Sequence, residues 1–237
     1  MDFIFIWFII YYLGIGYISA QDYSLLIKDI YFVLFWAILV LYLKRKNKFN
    51  EYGLCLNNSQ EFFKEKAIIL AILVLPILNI LFMVINGNMS NLVLSGKKII
   101  LNIIYILFSV MTEELLFRGV LISYFKDTFK LNLVISIIIS AVLFSALHLL
   151  NGYTGNYLIC QLFCAFTVGV CFGATYLYTG SIIPTVIVHS LINITSYMQT
   201  NETDLIQTIL YIAAGLLYLF IGLYYIRKIR YKNETLH

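Results

Sequence analysis

Three short groupings in the middle of the chain combine residue types that move protons. They are Glu113-Glu114-Leu115-Leu116-Phe117-Arg118, then Phe144-Ser145-Ala146-Leu147-His148, then His189-Ser190-Leu191-Ile192-Asn193. Glu114 and Arg118 are four residues apart, so on a helix they share a face and can pair. Glu113 then points about 100° away from Glu114. One arginine neutralises one carboxylate, which leaves Glu113 free for proton transfer, the work of a general base. His189 and Asn193 are also four apart, which stacks an imidazole and a carboxamide on one face. Together they can hydrogen-bond a developing oxyanion, or His189 can ligate a metal. Each grouping alone has a plainer reading. A Glu–Arg pair can simply fix helix packing, a His–Asn pair can bridge helices in a membrane bundle, and a lone helix histidine such as His148 is usually a packing residue. The weight lies in their convergence, because little else polar occurs in the surrounding stretches.

Those stretches are strongly apolar. The 237 residues are 62% hydrophobic and only 12% charged, with a mean hydropathy of +0.90. Soluble domains carry about 25% charged residues, so lipid must solvate most of this surface. Runs long enough to approach the ~20 residues of a membrane span cover 3–20, 30–43, 67–86, 99–123, 131–150, 156–179, 181–199 and 205–226. The second is short and can begin near Leu25, with Lys28 snorkelling to the interface. The expected fold is therefore all-α, a polytopic transmembrane helical bundle of about eight spans, forming a single integral membrane domain over 1–237. The fourth run holds Glu113, Glu114 and Arg118, and three charges inside a span demand a functional or structural reason. No aspartate is expected within the membrane core.

Loop charge suggests an orientation. With the N-terminus inside, the inner segments hold Lys44, Arg45, Lys46, Lys48, Lys64, Lys66, Lys126, Lys130, Arg227, Lys228, Arg230 and Lys232, and the outer ones only Lys28, Lys97 and Lys98. The positive-inside rule then places both termini in the cytoplasm, and the mouth of the site is expected on that side as well. The first run lacks the basic flank of a signal peptide and reads as a retained span. A net charge of +4 does not point to nucleic acid; the partners expected are membrane lipids and a peptide or protein at the membrane. Cys160, Cys164 and Cys171 lie in apolar runs without a CxxC pair, so they read as packing residues rather than a disulfide framework. Gly169, Gly173, Gly180, Ala165 and Ala174 form a small-residue stripe suited to close helix contact.

Other hydrolytic signatures are missing from the sequence. It has no His-Glu-x-x-His, no Gly-x-Ser-x-Gly and no Gly-x-Gly-Asp. With Glu-Glu-x-x-x-Arg, Phe-x-x-x-His and His-x-x-x-Asn in that order, residues 109–198 resemble the CPBP family of intramembrane proteases, which includes the CAAX prenyl-protein endopeptidases and the bacteriocin-immunity (Abi) group. The run Tyr178-Thr179-Gly180-Ser181-Ile182-Ile183-Pro184 is also similar to that family. The resemblance implies an endopeptidase core in which Glu113 activates water with help from His148, His189 and Asn193 stabilise the oxyanion, and Glu114 and Arg118 hold the site together. Glu113, His148 and His189 are also suitable zinc ligands around an open position; the metal-free glutamate mechanism is preferred. A non-catalytic immunity or scaffold protein and a proton-coupled transporter are the competing readings, the latter weakened by the lack of two matching halves. The Ile-, Tyr-, Phe-, Lys- and Asn-rich composition suggests a bacterial source and favours peptide processing or immunity over prenyl-protein maturation. One conflict stands at the level of sequence. His148 falls at the end of its run, on the order of 10–20 Å too shallow to meet Glu113 at ~1.5 Å per residue. Either the fifth span continues past 150, or 151–155 dips into the protein, where irregular backbone is tolerated if it lines a cavity.

Overall fold

A computed structural model describes residues 4–20, 24–55, 60–86, 96–151, 153–196 and 205–234. Regular structure among them is entirely helical, as bilayer solvent requires when each backbone N–H and C=O must be paired within its own segment. The helices are α1 (Ile4–Ala20), α2 (Leu25–Arg45), α3 (Gln60–Lys64), α4 (Lys66–Ile72), α5 (Val74–Ile85), α6 (Gly96–Glu114), α7 (Ser123–Asp127), α8 (Leu133–Leu147), α9 (Gly155–Thr179), α10 (Ile183–Ser196) and α11 (Leu205–Glu234). Among the described residues, five helical stretches are long and apolar enough to cross a membrane, namely Leu26–Arg45, Ile100–Asp127, Leu133–Asn151, Gly155–Thr179 and Leu205–Tyr231. The shorter apolar helices α5 and α10 and the 17-residue α1 occupy the other expected runs.

Several boundaries differ from expectation for identifiable reasons. The second helix starts at Leu25, as its short apolar run allowed, but this start carries Asp29 into the helix with only 4% of its surface exposed. Asp29 is thus a buried carboxylate where none was expected. The third run is broken at Leu73 into α4 and α5. Pro76 has no N–H for the carbonyl of Ile72, and the buried Tyr218 hydroxyl of α11 donates to that carbonyl instead. The last apolar run extends as α11 to Glu234. Helix α10 has 14 described residues, about 21 Å at 1.5 Å per residue; residues 197–199 of the expected run lie outside the described residues.

Helix α9 is the centre of the bundle, packed between α8 and α11, with thirteen of its residues buried. Small residues allow this close approach. A Cβ on Gly169 would lie 3.0 Å from that of Ala141 in α8, and one on Gly222 of α11 would lie 3.1 Å from the Cα of Cys171. Of the small-residue stripe read from sequence, Gly169 and Gly173 are therefore at a helix–helix contact, whereas Gly180 is not part of it. Gly180 ends α9 in the left-handed region, at φ 67°, which costs glycine little. The chain then turns straight into α10. That turn is tied to the loop after α2, where Ile182 N–H donates to Gly53 O at 2.9 Å and Ser181 Oγ to Cys55 O at 2.7 Å.

The charged stretch has the least regular backbone. After Glu114 the helix widens into a π-helical segment, Leu115–Ile122, before resuming as α7. Leu115, Phe117, Arg118, Gly119, Val120 and Ile122 are all buried in it. The carbonyl of Phe117 accepts a hydrogen bond from Ser140 Oγ of α8 at 2.7 Å. Such widened turns recur at functional sites, and this one begins directly after the paired glutamates.

Candidate active site

Arg118 anchors the site. It is 1% exposed, and its Nη1 lies 3.1 Å from Oε1 of the fully buried Glu114. An aromatic cage surrounds the guanidinium, with the ring of Phe144 4.3 Å from its carbon and that of Phe172 5.5 Å away. Rings at this range attract a cation through their quadrupoles, an effect that grows when the site is dry. A charge this deep persists only with a close counter-charge, so the i,i+4 pairing expected from spacing is what makes the burial tolerable.

The same Glu114 oxygen reaches a second helix. His189 Nδ1 of α10 lies 2.8 Å from Glu114 Oε1. A carboxylate bound to arginine can only accept, so Nδ1 carries the proton and donates. This leaves Nε2 facing Glu113, whose Oε2 is 3.8 Å away. Glu113 is held on its other side by Ser109 Oγ, which donates to Oε1 at 3.2 Å. Its side chain retains 24% exposure against none for Glu114. The two adjacent glutamates therefore occupy different environments. Glu114 is a sealed structural anion, whereas Glu113 reaches an open space.

That space is a cavity of about 530 Å³ whose wall includes Glu113, His148, His189 and Asn193. Its volume is within the range of small-ligand sites, roughly 300–1,000 Å³. Helix α8 ends at Leu147 but continues as a 3₁₀ turn over His148–Asn151. Leu150, Asn151 and Tyr153 also contribute to the wall. The depth conflict at His148 resolves in this way: the helical path runs beyond 150, and the following connection lines the cavity. His148 Nδ1 donates to the Phe144 carbonyl at 3.1 Å, so its Nε2 is the nitrogen available for chemistry. Phe144 meets both imidazoles edge-on, with centroids 5.1 Å from His148 and 5.5 Å from His189. One phenylalanine thus positions both histidines and the arginine.

The cavity contains all the sequence-identified site residues except the Glu114–Arg118 pair behind it. Sequence reasoning missed three supporting groups. Ser109 lies one turn before Glu113, and its i−4 spacing was a readable signal. Phe172 packs 6.0 Å from His189 and carried no signal in an apolar run. Asn79 of α5 donates to Thr195 Oγ1 at 3.0 Å and Ser196 Oγ at 2.8 Å, and Tyr211 donates to Asn79 Oδ1 at 2.8 Å. This cluster ties the end of α10, one turn beyond Asn193, to α5 and α11. Among the described residues no group of three His, Cys, Asp or Glu side chains is disposed to hold a metal ion. Both histidine Nδ1 atoms donate to protein acceptors, which leaves each Nε2 available to water, substrate or a metal ion.

Comparison with known proteins bears on the same segment. Residues 95–195 match the family model described as Rce1-like, type II CAAX prenyl endopeptidase Rce1-like. No curated protein and no solved structure matches the chain.

Proposed function

We propose, on the premise that residues 95–195 belong to the CPBP/CAAX intramembrane protease family, that the chain is an endopeptidase that hydrolyses a peptide bond in a membrane-associated substrate with water activated by Glu113. The observation that carries this is the Arg118–Glu114–His189 relay, which fixes one imidazole so that its free nitrogen faces the partly exposed Glu113 across 3.8 Å. That separation is too long for a direct hydrogen bond. A water in the cavity about 2.8 Å from each atom would sit at the apex of a triangle with them, held for attack.

In this mechanism the water oxygen attacks the scissile carbonyl carbon as Glu113 accepts its proton. The carbonyl π pair moves to the oxygen, and the resulting oxyanion receives hydrogen bonds from His189 Nε2–H and the Asn193 carboxamide. Collapse of the tetrahedral intermediate breaks the C–N bond, and the proton held by Glu113 passes to the leaving amine. His148, through its unprotonated Nε2, accepts a hydrogen bond from the water and supports Glu113. When His189 carries both protons, Arg118, Glu114, His189 and Glu113 sum to zero charge, the least costly state to bury. No step requires a metal.

The test is cleavage of a quenched peptide library by detergent-purified protein, comparing the parent with Glu113→Gln. Cleavage lost in the variant supports the reading. Cleavage that persists refutes it, and absence of cleavage in both proteins favours the non-catalytic immunity or scaffold role. The catalytic core over 109–198, the bacterial source and the cytoplasmic termini belong to the same proposal.

A further inference from the structure

The bundle has two chemically unlike ends, and the cavity opens toward the less basic one. At one end lie the end of α2 and its following loop, α3, the turn after α7, the Gly180 turn and the end of α11. Contacts join them: Ile182 to Gly53, Ser123 Oγ to Tyr176 OH at 3.2 Å, and Lys228 to Glu65. This end carries twelve of the chain's sixteen Lys and Arg residues. It is also sealed below the site, since Ile122, Phe172, Ser181, Ile182 and Thr185 are each no more than 1% exposed.

The cavity runs the other way. From His189 it follows α10 through Asn193 to Ser196, the last residue of that helix. On α8 and α9 it follows His148 to Asn151 and Tyr157 to Cys164, the end of one helix and the beginning of the next. Leu150 on its rim is 82% exposed. Two expectations from sequence therefore conflict: basic cytoplasmic loops and a cytoplasmic mouth cannot both hold, because they belong to opposite ends of the bundle. Lys and Arg in short loops set orientation, and acidic residues count for little, so the charge asymmetry decides between them.

We infer that the cavity admits its substrate from the non-cytoplasmic face of the membrane, and that the substrate is an exported or secreted peptide with uncharged apolar or aromatic residues around the scissile bond. The wall supports that chemistry. Glu113 is its one Asp, Glu, Lys or Arg among the described residues, and Tyr12, Tyr153, Tyr157 and Tyr211 supply aromatic surface with polar tips. Arg118, the cation nearest the reacting groups, is sealed and cannot receive a substrate carboxylate. The inference rests on the protease reading for the words substrate and scissile bond, but its geometry is independent of it.

The test is cysteine accessibility in intact cells expressing the full chain. Cys55, Cys160 and Cys164 are replaced by serine or alanine, and the fully buried Cys171 is left. Leu150→Cys or Asn151→Cys marks the mouth and Lys130→Cys the basic end, each probed with a membrane-impermeant maleimide before and after permeabilisation. The expected result is full labelling of Leu150→Cys and Asn151→Cys in intact cells, with Lys130→Cys labelled only after permeabilisation. The reverse pattern, labelling of both ends, or labelling of neither end in intact cells overturns the inference. Labelling needs no catalysis, and Glu113→Gln leaves the pattern unchanged, so failure of the orientation and failure of the protease reading give different results.

Discussion

Replacing Glu114 by glutamine tests the relay at its centre. The substitution keeps the volume but removes the anion that lies 3.1 Å from Arg118 Nη1 and 2.8 Å from His189 Nδ1. Arg118 cannot move to water, since it is 1% exposed beneath Phe144 and Phe172. Removing one partner of a buried pair costs about 3–5 kcal/mol, because the remaining charge is uncompensated. At the lower figure the folded-to-unfolded ratio falls on the order of 100-fold. Reversible unfolding in mixed micelles, followed by the fluorescence of Trp7 and Trp36, reads this loss. The accompanying double variant Glu114→Gln/Arg118→Met removes both charges and fills the cage with an apolar side chain. It is expected to recover most of the lost stability while remaining inactive, because His189 is no longer held by a carboxylate. A single variant within about 1 kcal/mol of the parent, where surface pairs fall, or a double variant less stable than the single one, refutes the account of Arg118 as a charge made tolerable by Glu114.

The remaining expectations separate chemistry from architecture. Glu113→Gln leaves stability near that of the parent, since Glu113 is partly exposed, hydrogen-bonded to Ser109 and no closer than 3.8 Å to His189 Nε2, but lowers cleavage by about 10²–10⁴-fold, measured as initial rate on the best library peptide. Asn193→Ala lowers kcat by about 10²–10³-fold with a smaller change in KM, the signature of a lost oxyanion donor. Gly119→Ala lowers stability by about 1–3 kcal/mol in the unfolding assay, because its Cβ would lie 2.7 Å from the backbone oxygen of Tyr52, which cannot swing aside. Incubation with a zinc chelator leaves the cleavage rate unchanged, as the metal-free mechanism requires; a rate lost on chelation and restored only by added zinc refutes that mechanism.

Hydropathy and spacing made much of this protein legible. A span announces itself as a contiguous apolar run, because lipid demands apolar side chains and internally paired backbone along the whole segment. The Glu114–Arg118 pair was likewise readable, being one turn of one helix. Three motifs in order were enough to name the residues that meet at the cavity. What the sequence could not reveal depends on rotation and contact between distant segments. The bond from His189 to Glu114 joins residues 75 positions apart, and it depends on the packing of α10 directly against α6. The π-helical turn after Glu114 and the entry of Asp29 into a buried helix face likewise depend on how the helices pack. The end at which the cavity opens was hidden for the same reason. Loop charge is a property of short segments and can be counted along the chain, whereas a cavity exists only where helices distant in sequence leave space between them.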